Sequence, residues 1–436
     1  MPLSGRKTLI ILSIFILCAA GLSAETLTLD NCIELALKNH PDVISARNSV
    51  GVANSELWNA AGAFLPSLSV GGGVSESHYP QEIQTVIGDE VVSSGKIAKN
   101  YSLSASARLT IFDGGQNLFN YLAAKANKAY NKYQAEGSEQ SLILTVKSYY
   151  FAYLAALRIK ESREEAVKRG EEQLKLAQSK FEVGSASKSD VLKAKVQYGN
   201  DKLDLIDAQN GIEKAFADLA YVIGIDVNSD IIFSPDYIVK DYEGSENDAM
   251  AFGLTHYPGL LASEKSMAEA KNNLRSAWGE FLPTVTVSFS KSYQNKFWHV
   301  VNDLPYEDSR WSISTSVSLP IFANFSRYSS ISRAKANLNN ARASYYYAKN
   351  NVALEIKKAY LDMSKAREKL TVTEENVAAA EEDMALVQEK YNLGAATILE
   401  LLDAQVSLIT AQYDKIQSEF DYNLAVATLE NAMGVR

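Results

Sequence analysis

The sequence predicts an α+β membrane protein built from an internal tandem repeat, in which pairs of β-strands alternate with long coiled-coil helices. Three observations carry this prediction. Short motifs recur in the same order in both halves of the 436 residues, at an offset of 217 and then 210. Four segments alternate apolar and polar side chains at period two, the pattern of a strand with one face in lipid or core and one in water. Two proline-free stretches of about 70 residues are dominated by alanine, lysine, glutamate, glutamine and leucine, the composition of long helices.

The duplication organises everything else. Gly62-Ala63-Phe64-Leu65-Pro66 returns as Gly279-Glu280-Phe281-Leu282-Pro283, and His40-Pro41 as Tyr257-Pro258, an offset of 217. Lys180-Phe181-Glu182-Val183-Gly184 returns as Lys390-Tyr391-Asn392-Leu393-Gly394, Asp190-Val191-Leu192 as Glu400-Leu401-Leu402, and Gly224 as Gly434, an offset of 210. The second copy is therefore shorter only between Pro283 and Phe322. A repeat of this length implies that the same supersecondary unit is used twice. The chain divides into a signal peptide at 1–24, a first repeat at 25–224, a linker at 225–248 and a second repeat at 249–436.

Each copy has one order of elements. A helix stops before Phe-Leu-Pro, because proline disfavours helix in the residue ahead of it. Two strands follow, at about 67–79 and 101–112 in the first copy and about 284–293 and 311–321 in the second. Trp311, Ile313, Thr315, Val317, Leu319 and Ile321 share one face, and Ser312, Ser314, Ser316 and Ser318 the other. Tyr101, Leu103, Ala105, Ala107, Leu109 and Ile111 alternate with Ser102, Ser104, Ser106, Arg108 and Thr110. Serine, glycine and threonine suit a wet lumen better than a packed core, so the strands read as barrel strands, apolar out and polar in. Closed barrels begin at about eight strands, so four per chain require several chains. Tyr79, Tyr101, Tyr293, Phe297, Trp298, Tyr306 and Trp311 cluster at strand ends beside the polar loops, as an interfacial aromatic girdle would.

The helices follow, from about Gly115 to Val183 and from about Asn324 to Leu393, with Gly137 and Gly170 as candidate weak points in the first. A continuous run of that length reaches roughly 100 Å, more than a globular domain needs, and must pack laterally on other long helices. Each returns as a hairpin at a glycine suited to a left-handed C-cap, with tips near Gly184 and Gly394.

The amino terminus reads as a secretory signal. Arg6 and Lys7 precede the apolar run Leu9 to Leu17, and Gly21-Leu22-Ser23-Ala24 offers small residues at a cleavage point. Leu17 before Cys18 argues against lipidation. Cleavage leaves Cys32 as the single cysteine, a small core residue with no disulfide partner. It also takes the formal charge from −9 to −11, which excludes a nucleic-acid partner of the usual basic kind. No stretch beyond the amino terminus reads as a transmembrane helix. His40, His78, His256 and His299 lie in unrelated elements without metal-ligand spacing, and no phosphate loop or nucleophile elbow is present. No enzyme activity, metal or cofactor is expected.

Together these residues resemble the outer-membrane factor family typified by TolC. The resemblance covers essentially the whole mature chain. It rests on Thr28-Leu29-Asp30 with Ile33, Ala36-Leu37 and Asn39-His40-Pro41, and on both Phe-Leu-Pro boundaries. It rests also on the strand-to-helix joints Leu109-Thr110-Ile111-Phe112-Asp113-Gly114-Gly115 and Leu319-Pro320-Ile321-Phe322, and on the two hairpin tips. The resemblance implies a homotrimer: a twelve-stranded β-barrel in outer-membrane lipid above a helical barrel crossing the periplasm. It implies an exit duct for a tripartite efflux pump or a type I secretion system, opened by a periplasmic adaptor (membrane fusion) protein and an inner-membrane transporter. The competing reading, a coiled-coil structural or adhesive protein of the cell envelope, accounts for the helices but not for polar-faced strands at the same point of both repeats.

The resemblance also assigns sites. Glu400 and Asp403, three residues apart and so on one helical face, occupy the positions of the acidic pore constriction. Three copies would form carboxylate rings that favour cations and whose mutual repulsion raises some pKa values. Ser189 and Asp190 occupy the equivalent place in the first repeat, where the family ties one tip to the other, and Tyr391 is a hydroxyl partner for Ser189. The family arginine two residues past the second tip glycine is Ala396 here, which leaves Lys193 as a substitute partner for Asp190. Gly184 and Gly394, followed by small residues, mark the tips where the adaptor would dock.

Overall fold

The computed structural model describes residues 26–81, 83–87, 90–94, 97–229, 231–235, 241–295 and 309–435. The expected signal peptide and Phe297, Trp298 and Tyr306 of the aromatic set lie outside the described residues.

The first repeat runs β1 (Thr26–Leu27), α1 (Leu29–Asn39), α2 (Pro41–Gly62), β2 (Ser67–His78), a hairpin of β3 (Ile83–Ile87) and β4 (Glu90–Ser94), β5 (Ile97–Phe112), α3 (Gln116–Glu182) and α4 (Lys188–Ile223). The second runs β6 (Ile232–Phe233), α5 (Glu246–His256), α6 (Pro258–Gly279), β7 (Thr284–Asn295), β8 (Ser309–Ser318), α7 (Ser326–Asn392) and α8 (Ile398–Met433). The paired helices have equal lengths, α3 and α7 at 67 residues and α4 and α8 at 36. β8 ends at Ser318 rather than near 321, since Pro320 has no N–H to give a ladder.

The sheet has the order β2-β5-β7-β8, antiparallel throughout. Its registers align whole rows across the four strands. Ser69, Ser106, Ser290 and Ser312 form one row, with hydroxyl pairs at 2.7 Å (Ser69 to Ser106) and 2.9 Å (Ser290 to Ser312). Leu68, Ala107, Phe289 and Ile313 form the next row, on the opposite face. Leu68 and Val70 are 78% exposed and Ile313 65%, so the apolar face is uncovered in the single chain. Both outer strands, β2 and β8, have one edge unpaired among the described residues. Of the expected girdle, Tyr79 and Trp311 are exposed, whereas Tyr293 is buried and lines a cavity with Tyr101, Gly72 and Gly73.

A second aromatic group stands at the other end of the strands. Trp278 and Phe281 of the α6 end pack with Phe322, Phe325 and Tyr328 of the next joint at ring separations of 5.5–6.2 Å. The two strand-to-helix joints differ in chemistry. Gly114 and Gly115 take positive φ in the first, and Asp113 caps α3 by accepting from the Gly115 and Asn117 amides at 3.0 and 2.8 Å. Asn324 and Phe325 take positive φ in the second, at 47° and 60°, a conformation that costs a side-chain-bearing residue about 1–2 kcal/mol.

The helices pack around two equivalent cores. In one, Val146, Tyr150, Phe151 and Tyr153 of α3 meet Cys32, Ala36, Leu219, Ile223 and Phe233. In the other, Ile356 and Met363 of α7 meet Ala249, Leu260, Leu429 and Met433. Cys32 and Ala249 fill the same slot at the 217-residue offset; both are 0% exposed, and burial pushes the Cys32 thiol up to about 12. α3 is long and apolar enough over an 18-residue window to cross a membrane by composition, contrary to the sequence expectation. Its apolar centre is used instead in the first core. Gly137 and Gly170 are not breaks: α3 runs through both. Gly170 is a contact point, where an added Cβ would lie 2.5 Å from Asp201 Oδ2.

The linker is held by a charge cluster. The Asp241 carboxylate accepts from both Arg367 and the Tyr422 hydroxyl, and Arg367 Nη2 also donates to the Tyr242 carbonyl at 3.0 Å. Tyr422 and Arg367 together hold Asp241 below the usual carboxylate range.

Candidate functional site

The site is built by the two helical hairpins, whose tips come together although 210 residues separate them in sequence. Each tip has one local design. The helix ends at a glycine with φ 77°, Gly184 or Gly394, and the next helix opens with a capping box. Ser187 Oγ accepts from the Asp190 amide at 3.2 Å, while Asp190 Oδ2 accepts from the Ser187 amide at 2.9 Å and hydroxyl at 2.8 Å. Thr397 and Glu400 repeat the arrangement at 3.2, 2.6 and 3.0 Å. Two orphan N–H groups of each helix start are thereby satisfied.

This geometry gives Asp190 and Glu400 an immediate structural role. The Ser187 amide and hydroxyl hold Asp190 below the usual carboxylate range, and the Thr397 amide and hydroxyl do the same for Glu400. The Ser/Thr-x-x-Asp/Glu spacing is the sequence signal that marks such a cap, missed among the repeated motifs. Both carboxylates stay exposed or nearly so, and Asp403, one turn on from Glu400, is exposed as well. The structure thus presents Glu400 and Asp403 outward from the start of α8.

The expected tip-to-tip partners are not brought together in the single chain. Ser189 and Lys193 are exposed, and Asp190 is engaged by Ser187 rather than by Lys193. Tyr391 is 5% exposed in a cluster with Ala177, Val191, Ala194, Met384, Ile398 and Leu401. Its hydroxyl has no hydrogen-bond partner among the described residues. Burial, with the nearby Asp190 charge, pushes the phenol up.

A different residue joins the tips. Lys180, at the end of α3, donates to the Tyr391 carbonyl and, at 3.4 Å, to the Asn392 carbonyl, with its ammonium 4.2 Å from the Tyr391 ring centre. Sequence spacing marks Lys180 only as part of a repeated motif, because the contact depends on how distant hairpins pack. Among the described residues no three His, Cys, Asp or Glu side chains group as metal ligands. An open cavity of about 480 Å³ between the two Pro elbows is lined by His40, Asp42, Ser138 and Tyr257. There His40 Nδ1 accepts from the Asp42 amide at 3.3 Å as a helix cap.

Comparison with known proteins agrees with this architecture. The family model for outer membrane efflux protein matches residues 32–225 and 254–435, one match per repeat. The outer membrane efflux protein BepC of Brucella suis is 23% identical over 95% of this chain and 87% of its own length. The outer membrane protein TolC of Vibrio cholerae is 22% identical over 97% and 95%. The crystal structure of the outer membrane protein VceC of Vibrio cholerae superposes with a TM-score of 0.81 at 19% identity, covering 93% of this chain and 96% of that one.

Proposed function

The chain belongs to the outer membrane efflux protein family, and from that premise we propose that three copies of it assemble into one exit duct. It is an outer-membrane channel protein with the TolC-like fold and not an enzyme. The observation that supports the oligomeric duct is the sheet. Four strands expose an apolar face and a hydroxyl face, and two long outer strands each leave an edge unpaired among the described residues. Unpaired edges and uncovered apolar rows are both removed when the sheet closes with copies of itself in lipid. Three sheets supply twelve strands, enough to close an aqueous barrel.

Below the barrel the helices continue the duct into the periplasm. In this reading the tips at Gly184 and Gly394 receive a periplasmic adaptor, which couples the duct to an inner-membrane transporter of an efflux or type I secretion system. Exposed turns and small residues at both tips leave backbone accessible for such docking. Glu400 and Asp403 form the narrow acidic ring at the mouth, and Ser189, Asp190, Lys193 and Tyr391 surround it as the gate.

Detergent-purified protein should have the mass of three chains and form pores in planar bilayers; a soluble monomer would refute the duct. The double variant Glu400→Ala/Asp403→Ala should lose cation preference and change conductance, because it removes two carboxylates per chain from the constriction. Currents identical to the parent would remove both residues from the pore.

A further inference from the structure

The two tips are alike in backbone but not in how their lysines are used. Lys180-Phe181 and Lys390-Tyr391 occupy equivalent places at the 210-residue offset. The carbonyl of each lysine accepts an amide past the glycine, from Ser185 and Ala395, both at 2.8 Å. Yet the Lys180 ammonium is half-buried and bonded to the second tip, whereas the Lys390 side chain is exposed, makes no hydrogen bond or ion pair among the described residues, and has Glu400 of its own tip as its electrostatic neighbour.

The Lys180 contact combines three favourable terms. An ammonium meets carbonyls at a helix C-terminus, where the dipole is negative. It covers an aromatic face. It also links two hairpin tips that share an apolar cluster around Tyr391. The surface that would receive Lys390 in the same way belongs to the first tip: the Phe181 ring, the Phe181 and Glu182 carbonyls, and here a carboxylate on Glu182 as well. That surface is open, with Phe181 41% and Val183 79% exposed. Lys188 Nζ lies 5.4 Å from the Phe181 ring centre, so this ring already accepts a cation.

We propose that Lys180 and Lys390 are the two equivalent ties of the gate, Lys180 joining the tips within a chain and Lys390 joining each second tip to the first tip of the next copy. The inference rests on the trimeric duct proposed above. Three chains with two tips each make a ring in which every second tip faces a neighbour's first tip. A rotation that carries the first tip onto the second then carries the second onto the neighbour's first. Glu182 supplies the charge complement for Lys390. Both lysines are positioning residues, acting on the separation of the tips and not on the cargo.

Two measurements test this. In a Cys32→Ser background, Glu182→Cys/Lys390→Cys treated with a short bis-maleimide should give dimers and trimers on denaturing gels. Lys180→Cys/Asn392→Cys should cross-link within a chain and run as monomer. Monomers only from the first pair, in a preparation that sediments as a trimer, would overturn the inference while leaving the duct intact. In planar bilayers, Lys180→Ala and Lys390→Ala should each raise open probability several-fold, with Lys180→Arg and Lys390→Arg restoring the closed state. Alanine variants that gate like a conducting parent would overturn it too, whereas a parent that forms no pores would overturn the duct itself.

Discussion

Asp201 shows at the scale of one residue how the hairpins are joined above the tips. It is 2% exposed on α4, where Oδ1 accepts from Gln197 Nε2 at 2.9 Å and Oδ2 from Gln405 Nε2 of α8 at 3.4 Å. Gly170 of α3 lies against it, since any Cβ there would strike the carboxylate. Burial pushes its pKa above the usual carboxylate range, with Asp204 adding to the rise and Gln197, Arg163 and Arg169 opposing it. The folded chain therefore holds this proton more tightly than the unfolded one. The contribution is present below the ordinary range of about 4 and is lost as pH rises through the higher native value. Asp201→Asn should thus gain stability relative to the parent as pH rises from about 4, read as a growing difference in unfolding midpoints. A difference that stays constant with pH would show that Asp201 does not titrate differently in the two states.

Among the elements, the glycine turns separate two kinds of constraint. Gly394 has φ 77° and nothing within 4 Å of an added Cβ, so its cost on substitution is conformational alone. Gly114 has φ 73°, and its Cβ would strike the Gly279 carbonyl and lie 2.8 Å from Leu282 Cβ. Gly394→Ala should therefore cost about 1–2 kcal/mol, and Gly114→Ala clearly more, because the joint between β5 and α3 must also move away from α6. Heat-induced unfolding of the two variants measures this, and equal losses would refute the close approach. Both glycines fall within repeated motifs, but only Gly394 could be understood from sequence. The crowding at Gly114 comes from the other repeat and has no local signature. The same holds for Phe325, whose positive φ stands where the first repeat has Gly115. Nothing in the alternating pattern or the Leu-Pro-Ile-Phe joint marks it.

For the whole molecule, the two faces of the sheet determine which substitutions the assembly tolerates. Ile313 lies mid-strand in the apolar row and Ser312 beside it in the hydroxyl row. An arginine facing the bilayer midplane costs about 2–4 kcal/mol in a barrel, whereas one facing the lumen stays hydrated. Ile313→Arg should therefore impair folding into lipid vesicles, followed by heat-modifiable mobility on gels, while Ser312→Arg folds and alters conductance. Equal folding of the two would mean that the faces are misassigned. The long hairpins extend this logic below the membrane, where α3·α4 and α7·α8 build two like cores around Tyr150 and Ile356.

The amino-acid sequence by itself determined the duplication, the order of the four long strands and the long helices, the two faces of each strand and the glycine at each tip. These are one-dimensional signals: a fixed offset, a period of two, a proline-free helical run. The acidic residues at the start of α4 and α8 were legible as a repeated pair, whereas their capping role with Ser187 and Thr397 emerged only from the structure. Only the tertiary structure decided that β5 pairs with β7 across the repeats, that Gly170 admits Asp201, and that Lys180 joins the two tips. Each depends on which distant segments meet. That choice is made by the packing of whole helices and sheets, and the spacing of residues along one of them does not contain it.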